Sequence, residues 1–291
     1  MDCIPCILKQ AVNLLSVCDS DKEIKKRAFS KIIKDLDKVD FSLSPAKNSD
    51  YIYKIVSEYT GIKDPFYDQK KLSNKQAMEA FPDLKKMVED SDDKLLSSIK
   101  IAIAGNAIDL GINFSLKHKL KPEEILKEIE GLEFGINDYD SFKNELSRSK
   151  KVLYMADNAG EIVFDRVLIE EITKLGKEVI LAVKSGPIIN DANIEDTIDA
   201  GFGKDIEIVE TGCSKIGMDL DCFSEVFKKI FKDSDLIICK GQAHFESFDN
   251  YHGPIFFLLK CKCSVIAEEL KTEVSKIALY KSENFRHNDG K

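Results

Sequence analysis

The sequence predicts an α/β fold in which a helical N-terminal section precedes a doubly wound, mainly parallel sheet. Three observations carry that expectation. Up to about Arg148, apolar side chains recur every three or four residues; beyond it, short β-branched runs alternate with helical stretches; and at the junction, Lys151 to Glu171 reads as strand, tight turn and helix. Strands that alternate with helices belong to parallel sheets covered on both faces. The expected organisation is a helical section over 1–148, an α/β core over 149–285 and a tail over 286–291.

In the N-terminal section the helical spacing is clear over Ile4 to Val17, Lys22 to Leu36, Asp50 to Tyr59 and Ser91 to Leu110, with no strand expected between them. After Arg148 the expected strands are Val152 to Ala156, Glu178 to Lys184, Ile206 to Val209, Asp235 to Cys239, Phe256 to Lys260 and Lys276 to Tyr280. Between them, Ile162 to Leu175, Ile194 to Ala200 and Cys222 to Phe231 read as helices.

Composition narrows the function classes. The chain has 291 residues, 43% of them hydrophobic, and a net charge of −8, which suits a folded globular protein and excludes a general nucleic-acid binder. It holds no apolar run of about 18 residues, and its first ten residues, MDCIPCILKQ, lack the layout of a secretory signal, so a cytoplasmic location and no membrane partner are expected. The eight cysteines are then expected to be mostly reduced, without a disulfide framework.

In doubly wound sheets ligands bind outside the carboxyl ends of the strands. The first strand ends at Asp157 and Asn158, with Gly160 permitting close backbone approach and a helix N-terminus behind; the simplest alternative is that Asp157 or Asn158 caps that helix. The second strand runs into Lys184 and on to Asn190 and Asp191, the third ends at Glu210-Thr211-Gly212, and the fourth at Lys240-Gly241-Gln242-Ala243-His244. Upstream, Asn106 and Asp109 are three residues apart and share one helix face, as a polar site or an ordinary helix end would require. Asp157, Asn158 and Asp191 offer two carboxylates and an amide oxygen, a hard-oxygen set suited to Mg2+ or Mn2+. A metal there would polarise a phosphoryl oxygen, and Lys240 would offset developing charge, so metal-assisted phosphate ester hydrolysis is the expected reaction. Walker, dinucleotide, zincin and serine-hydrolase motifs are all absent, and His244 reads more readily as a structural histidine near the site than as a ligand.

The segments DNAGE, PIINDA and KGQAHFE, with the upstream GNAIDLG and the N-terminal CIPC, resemble the DUF89 family, the damage-control phosphatases with an ARMT1-like metal-binding domain. The cysteine pair resembles the archaeal and bacterial branch. The resemblance implies a Rossmann-like α/β/α core and a divalent metal (Mg2+, Mn2+, Co2+ or Ni2+). It also implies a small phosphorylated metabolite as substrate, a sugar phosphate or a phosphopantetheine-like compound. By motif, Asp157, Asn158 and Asp191 match the metal ligands, Lys240 the lysine near the phosphate, Glu161 and Asn190 neighbouring polar groups, and Asn106 and Asp109 the segment that closes the pocket. Gly241 and His244 fall in the substrate-binding stretch, where this chain has Ala243 and His244 in place of the expected Gly and Asn, a change that bears on substrate fit.

Two other readings stand beside this one. The family also suggests an S-adenosylmethionine-dependent carboxyl methyltransferase, in which an Asp-Asn-Asp cluster has no evident task. A non-enzymatic metal or redox module would rest on Cys3 and Cys6, whose spacing is half of a zinc site, with Cys261 and Cys263 as unsuitably spaced candidates to complete it.

Overall fold

The computed structural model describes residues 3–38, 40, 45–107 and 122–287. Helices α1 (Cys3–Val17), α2 (Lys22–Lys34), α3 (Pro45–Thr60), α4 (Tyr67–Glu89), α5 (Lys94–Ala107) and α6 (Pro122–Glu130) come first. Strand β1 (Phe134–Asn137) and helix α7 (Tyr139–Arg148) follow. The alternating part comprises β2 (Lys151–Met155), α8 (Glu161–Lys174), β3 (Glu178–Val183), α9 (Ile194–Asp199), β4 (Glu207–Glu210), α10 (Glu225–Asp233), β5 (Leu236–Lys240), α11 (Gln242–Phe248), β6 (Ile255–Lys260), α12 (Ser264–Glu269) and β7 (Ile277–Lys281). Each strand foreseen after Arg148 is present, within a residue or two of its expected limits.

The seven strands form one sheet in the order β1-β7-β6-β5-β2-β3-β4. Pairing is parallel from β4 through β6, and β7 enters antiparallel against β6 with β1 parallel beside it. Strand order therefore reverses between β2 and β5, which lie side by side with Val152 opposite Leu236 and Met155 opposite Cys239. A crevice opens where neighbouring strands send their connections to opposite sides, so the ends of β2 and β5 are the place for a ligand.

The sheet is buried on both faces. Val152 and Tyr154 join a cluster with α4, α5 and α8, while Leu153 and Met155 join another with Phe227 and Phe231 of α10 and Phe245 and Phe248 of α11. Helix α8 buries Ile162, Val163, Phe164, Val167, Leu168, Ile169 and Ile172, together with the charged Glu161 and Asp165, because it packs against the sheet and against α4 and α5. A third cluster joins α1, α2 and α3 and reaches Ile188 and Ile216 beyond the strand ends. Helices α1 to α3 thus cover the end of the sheet where the crevice lies.

Two features depart from the sequence expectations. Strand β1 falls in the stretch read as almost entirely helical, where no clear strand was expected; it is four residues long and contains Gly135, which weakens any strand signal. Its two apolar residues, Phe134 and Ile136, alternate with the exposed Gly135 and Asn137 over too short a run to stand out, and the pairing with β7 shifts register between them. The second departure is a disulfide between Cys213 and Cys222, where thiols were expected; Cys6, Cys18, Cys239, Cys261 and Cys263 are free. Among the described residues, no helix is long and apolar enough to cross a membrane.

Candidate functional site

The turn after β2 is built from both sides. Gly160 begins α8 at φ 77°, a conformation that L side chains rarely adopt, and a Cβ there would meet Ser73 of α4. The next residue of α4, the buried Asn74, accepts the Gly160 N–H at 2.6 Å and donates to Asp196 of α9 at 2.8 Å. Because Gly160 is the cap residue and has no side chain to bond, neither Asp157 nor Asn158 serves as the cap of α8. Their side chains are committed elsewhere.

The loop after β3 is laced onto this turn by its backbone. Ala159 N–H donates to the Asn190 carbonyl at 2.9 Å and Ala192 N–H to the Asp157 carbonyl at 2.8 Å, and Asn158 and Asp191 pair as an isolated antiparallel bridge. Directly paired residues present their side chains to the same side of a ladder, so Asn158 and Asp191 lie together. Ile189 holds φ 44°, a strained conformation for a β-branched residue, immediately before Asn190.

Two amides sit between two carboxylates. Asn106 Nδ2 donates to Asp157 Oδ2 at 2.8 Å and to Glu161 Oε2 at 3.0 Å; Asn158 Nδ2 donates to the same two oxygens at 2.8 and 3.1 Å. The amide nitrogens must face the carboxylates, so the amide oxygen of Asn158 is turned away from them. Gly241, at φ 80°, lies directly beneath Asp157: a Cβ there would fall onto the carboxylate. Asn190 is half-buried and contributes its backbone carbonyl, and Asp109 lies outside the described residues.

Lys240, expected beside a phosphoryl group, has no exposed surface. Its ammonium donates to Glu161 Oε1 at 2.5 Å, to Asp165 Oδ1 at 2.6 Å and to the Ala102 carbonyl at 2.8 Å, which uses all three of its N–H bonds. Asp165 also accepts from Tyr154 Oη at 2.8 Å. Lys184, at the end of β3, lies 3.6 Å from Asp191 and donates to the carbonyls of Lys215, at 2.8 Å, and Gly217. Asn74, Asp165 and Tyr154 were not foreseen. Asp165 stands four residues from Glu161 on one helix face and was open to that inference; a lone amide within α4 carries no such signal.

The electrostatics follow from burial. Asp157 is pushed well above the usual carboxylate range, first by burial and then by the charges of Glu161 and Asp191. Burial raises Asp191 to about 6 against the opposing pull of Lys184, and Asp165 to about 7 against that of Lys240. His244 is buried, and burial with the nearby Lys184 charge pushes it down to about 3; its Nδ1 has no hydrogen-bond partner. Among the described residues no three His, Cys, Asp or Glu side chains converge as a metal cage. The donor set here is of another kind: the buried carboxylates of Asp157 and Asp191 offer the oxygen chemistry that hard divalent ions favour when water and substrate complete their shell, with the Asn158 amide oxygen turned away from Asp157 and Glu161. A cation would also offset the burial and the neighbouring charges that raise Asp157. The residues fit such an ion.

Comparison with known proteins adds the following. The family described as damage-control phosphatase ARMT1-like domain matches residues 1–277. A damage-control phosphatase from Pyrococcus horikoshii is 34% identical over 276 residues, 93% of each chain. One from Archaeoglobus fulgidus is 34% identical over 281 residues, covering 94% of this chain and 95% of its own. The crystal structure of a DUF89 family protein from Pyrococcus horikoshii aligns with a TM-score of 0.87 at 32% identity, over 97% of this chain and 98% of that one.

Proposed function

The chain belongs to the ARMT1-like damage-control phosphatase family, and on that premise we propose that it hydrolyses small phosphate monoesters with the aid of a divalent cation. The observation that carries this reading is the turn after β2, where Asp157 and Glu161 share the Asn106 and Asn158 amides and the loop after β3 brings Asp191 against Asn158. Asp157, Glu161 and Asp191 are each buried, and Asp157 is raised first by that burial and then by the charges of the other two. Asp157, Asn158 and Asp191 would hold Mg2+, Mn2+, Co2+ or Ni2+. When bound, such an ion polarises a phosphoryl oxygen and acidifies water.

The chain's own side chains supply the rigidity that the reaction needs. Asn106 and Asn158 fix Asp157 Oδ2, leaving rotation about its Cβ no freedom while Gly241 packs beneath it. Lys240 acts as a positioning cation: held by Asp165 and the Ala102 carbonyl, it fixes Glu161, which in turn orients both amides. Water is the attacking group, because a carboxylate restrained by two amides and a metal is a poor nucleophile. The substrates are sugar phosphates, phosphopantetheine-like compounds or related damaged metabolites.

The test is phosphate release from a panel of such esters by metal-stripped protein, with each divalent ion restored in turn, beside Asp191→Ala. Turnover is expected only with metal, and the variant is expected to lose about a hundredfold or more. Failure to cleave any ester with any ion would reject the hydrolase reading and make S-adenosylmethionine binding the next measurement.

A further inference from the structure

A cavity of about 100 Å3 lies between α1 and α3, beside the loop that delivers Asp191. Leu14, Ile52, Tyr53, Phe66 and Ile189 form most of its wall, and Gln10, Asn13 and Ser49 complete it. Its lining includes no charged side chain, and the Tyr53 hydroxyl is already committed to the Lys63 carbonyl at 2.9 Å. A second phosphate or a carboxylate would lose its hydration there with no cation to offset its charge, at high cost. An aliphatic group would not.

Ile189 joins this cavity to the candidate site. Its strained backbone keeps its side chain in the cavity wall, while the next residue bonds the turn through its carbonyl and the one after it pairs with Asn158. Two residues of chain span at most about 7 Å, so the cavity wall and Asp191 are within reach of one small ligand. Strain of this kind persists where the surroundings over-determine it, commonly at ligand sites.

Resting on the phosphatase reading above, we propose that this cavity receives an uncharged aliphatic portion of the substrate while the phosphoryl group lies at Asp157 and Asp191. An apolar cavity of about 150 Å3 admits benzene, so this one suits roughly four carbons. The enzyme therefore selects phosphate esters with a short aliphatic segment over polyol phosphates of the same length. Ile189, Ile52 and Leu14 are the residues that set this preference.

The experiment compares ethyl, butyl and hexyl phosphate and glycerol 3-phosphate as substrates of the metal-restored full chain, with calorimetric binding of the uncleavable ethyl- and butylphosphonates. Butyl phosphate should exceed ethyl phosphate in kcat/KM by about tenfold, and butylphosphonate should bind more tightly than ethylphosphonate. Ile52→Phe, which fills the cavity, should bring both ratios near unity; Leu14→Ala, which enlarges it and keeps the test open should the larger side chain prevent folding, should move the optimum towards hexyl phosphate. Hydrolysis without chain-length preference, or a preference unchanged in both variants, would overturn the cavity assignment and leave the phosphatase reading intact. Absence of both hydrolysis and phosphonate binding would overturn the two together.

Discussion

A lysine with no exposed surface serves only the groups that it touches, and Lys240 touches Glu161, Asp165 and a carbonyl. In the proposed reaction its contribution would run through the Glu161 carboxylate that it holds. His244 makes the same point for a titratable group. Its folded pKa of about 3 lies below the ordinary 6.5. Above pH 6.5 both folded and unfolded chains hold a neutral imidazole, and it has no effect on stability. Below that, the unfolded chain takes up a proton that the folded chain refuses, so folding loses about 1.4 kcal/mol per pH unit down to about pH 3. Denaturant unfolding of His244→Asn between pH 7 and 4.5 should therefore show a fall in stability shallower than that of the parent by about one proton. Parallel curves would contradict a buried neutral histidine.

Elements act here through their ends. Strand β2, its turn and α8 place Asp157, Asn158 and Glu161; the loop after β3 brings Asp191; and the end of β5 brings Gly241 beneath the first carboxylate. The order of these contacts makes Gly241→Ala informative. The added methyl would displace the Asp157 carboxylate and strain a backbone at φ 80°. Displacement of a reacting group by about 1 Å can cost roughly a hundredfold, so phosphate release is expected to fall by about that factor while the far-ultraviolet circular dichroism persists. Wild-type activity in this variant would mean that Asp157 need not stay where Gly241 lets it lie.

At the scale of the molecule, two clusters flank the sheet and a third gathers α1 to α3 over its ligand-binding end. The Cys213–Cys222 disulfide closes the segment whose Lys215 and Gly217 carbonyls hold Lys184 beside Asp191. Closing a loop of this size stabilises the folded state by about 2.5 kcal/mol. For a chain of this length, Cys213→Ser should lower the thermal midpoint by roughly 4 °C. A midpoint that does not change between the oxidised parent and the variant would show that other contacts hold the segment.

The sequence by itself determined the fold class, the strands from β2 to β7 and the segments that meet at the site, because helical and strand periodicities are local and the polar breaks that follow apolar strands stand out against them. It also marked Asp157, Asn158, Asn106 and Asp191 as groups to be brought together, although they lie up to 85 positions apart in the chain. Tertiary structure alone decided how they meet. That Asn106 reaches across α8 to Asp157, that Asn74 secures the turn from α4, and that Asp165 and Tyr154 confine Lys240 depend on packing between distant segments, which no local pattern encodes. Strand β1 escaped because it is four residues long and half of it is Gly and Asn, and the disulfide because cysteine positions do not state their partners. Whether a charged side chain faces a ligand or another side chain is likewise settled by the three-dimensional balance of burial and pairing, as Lys240 shows.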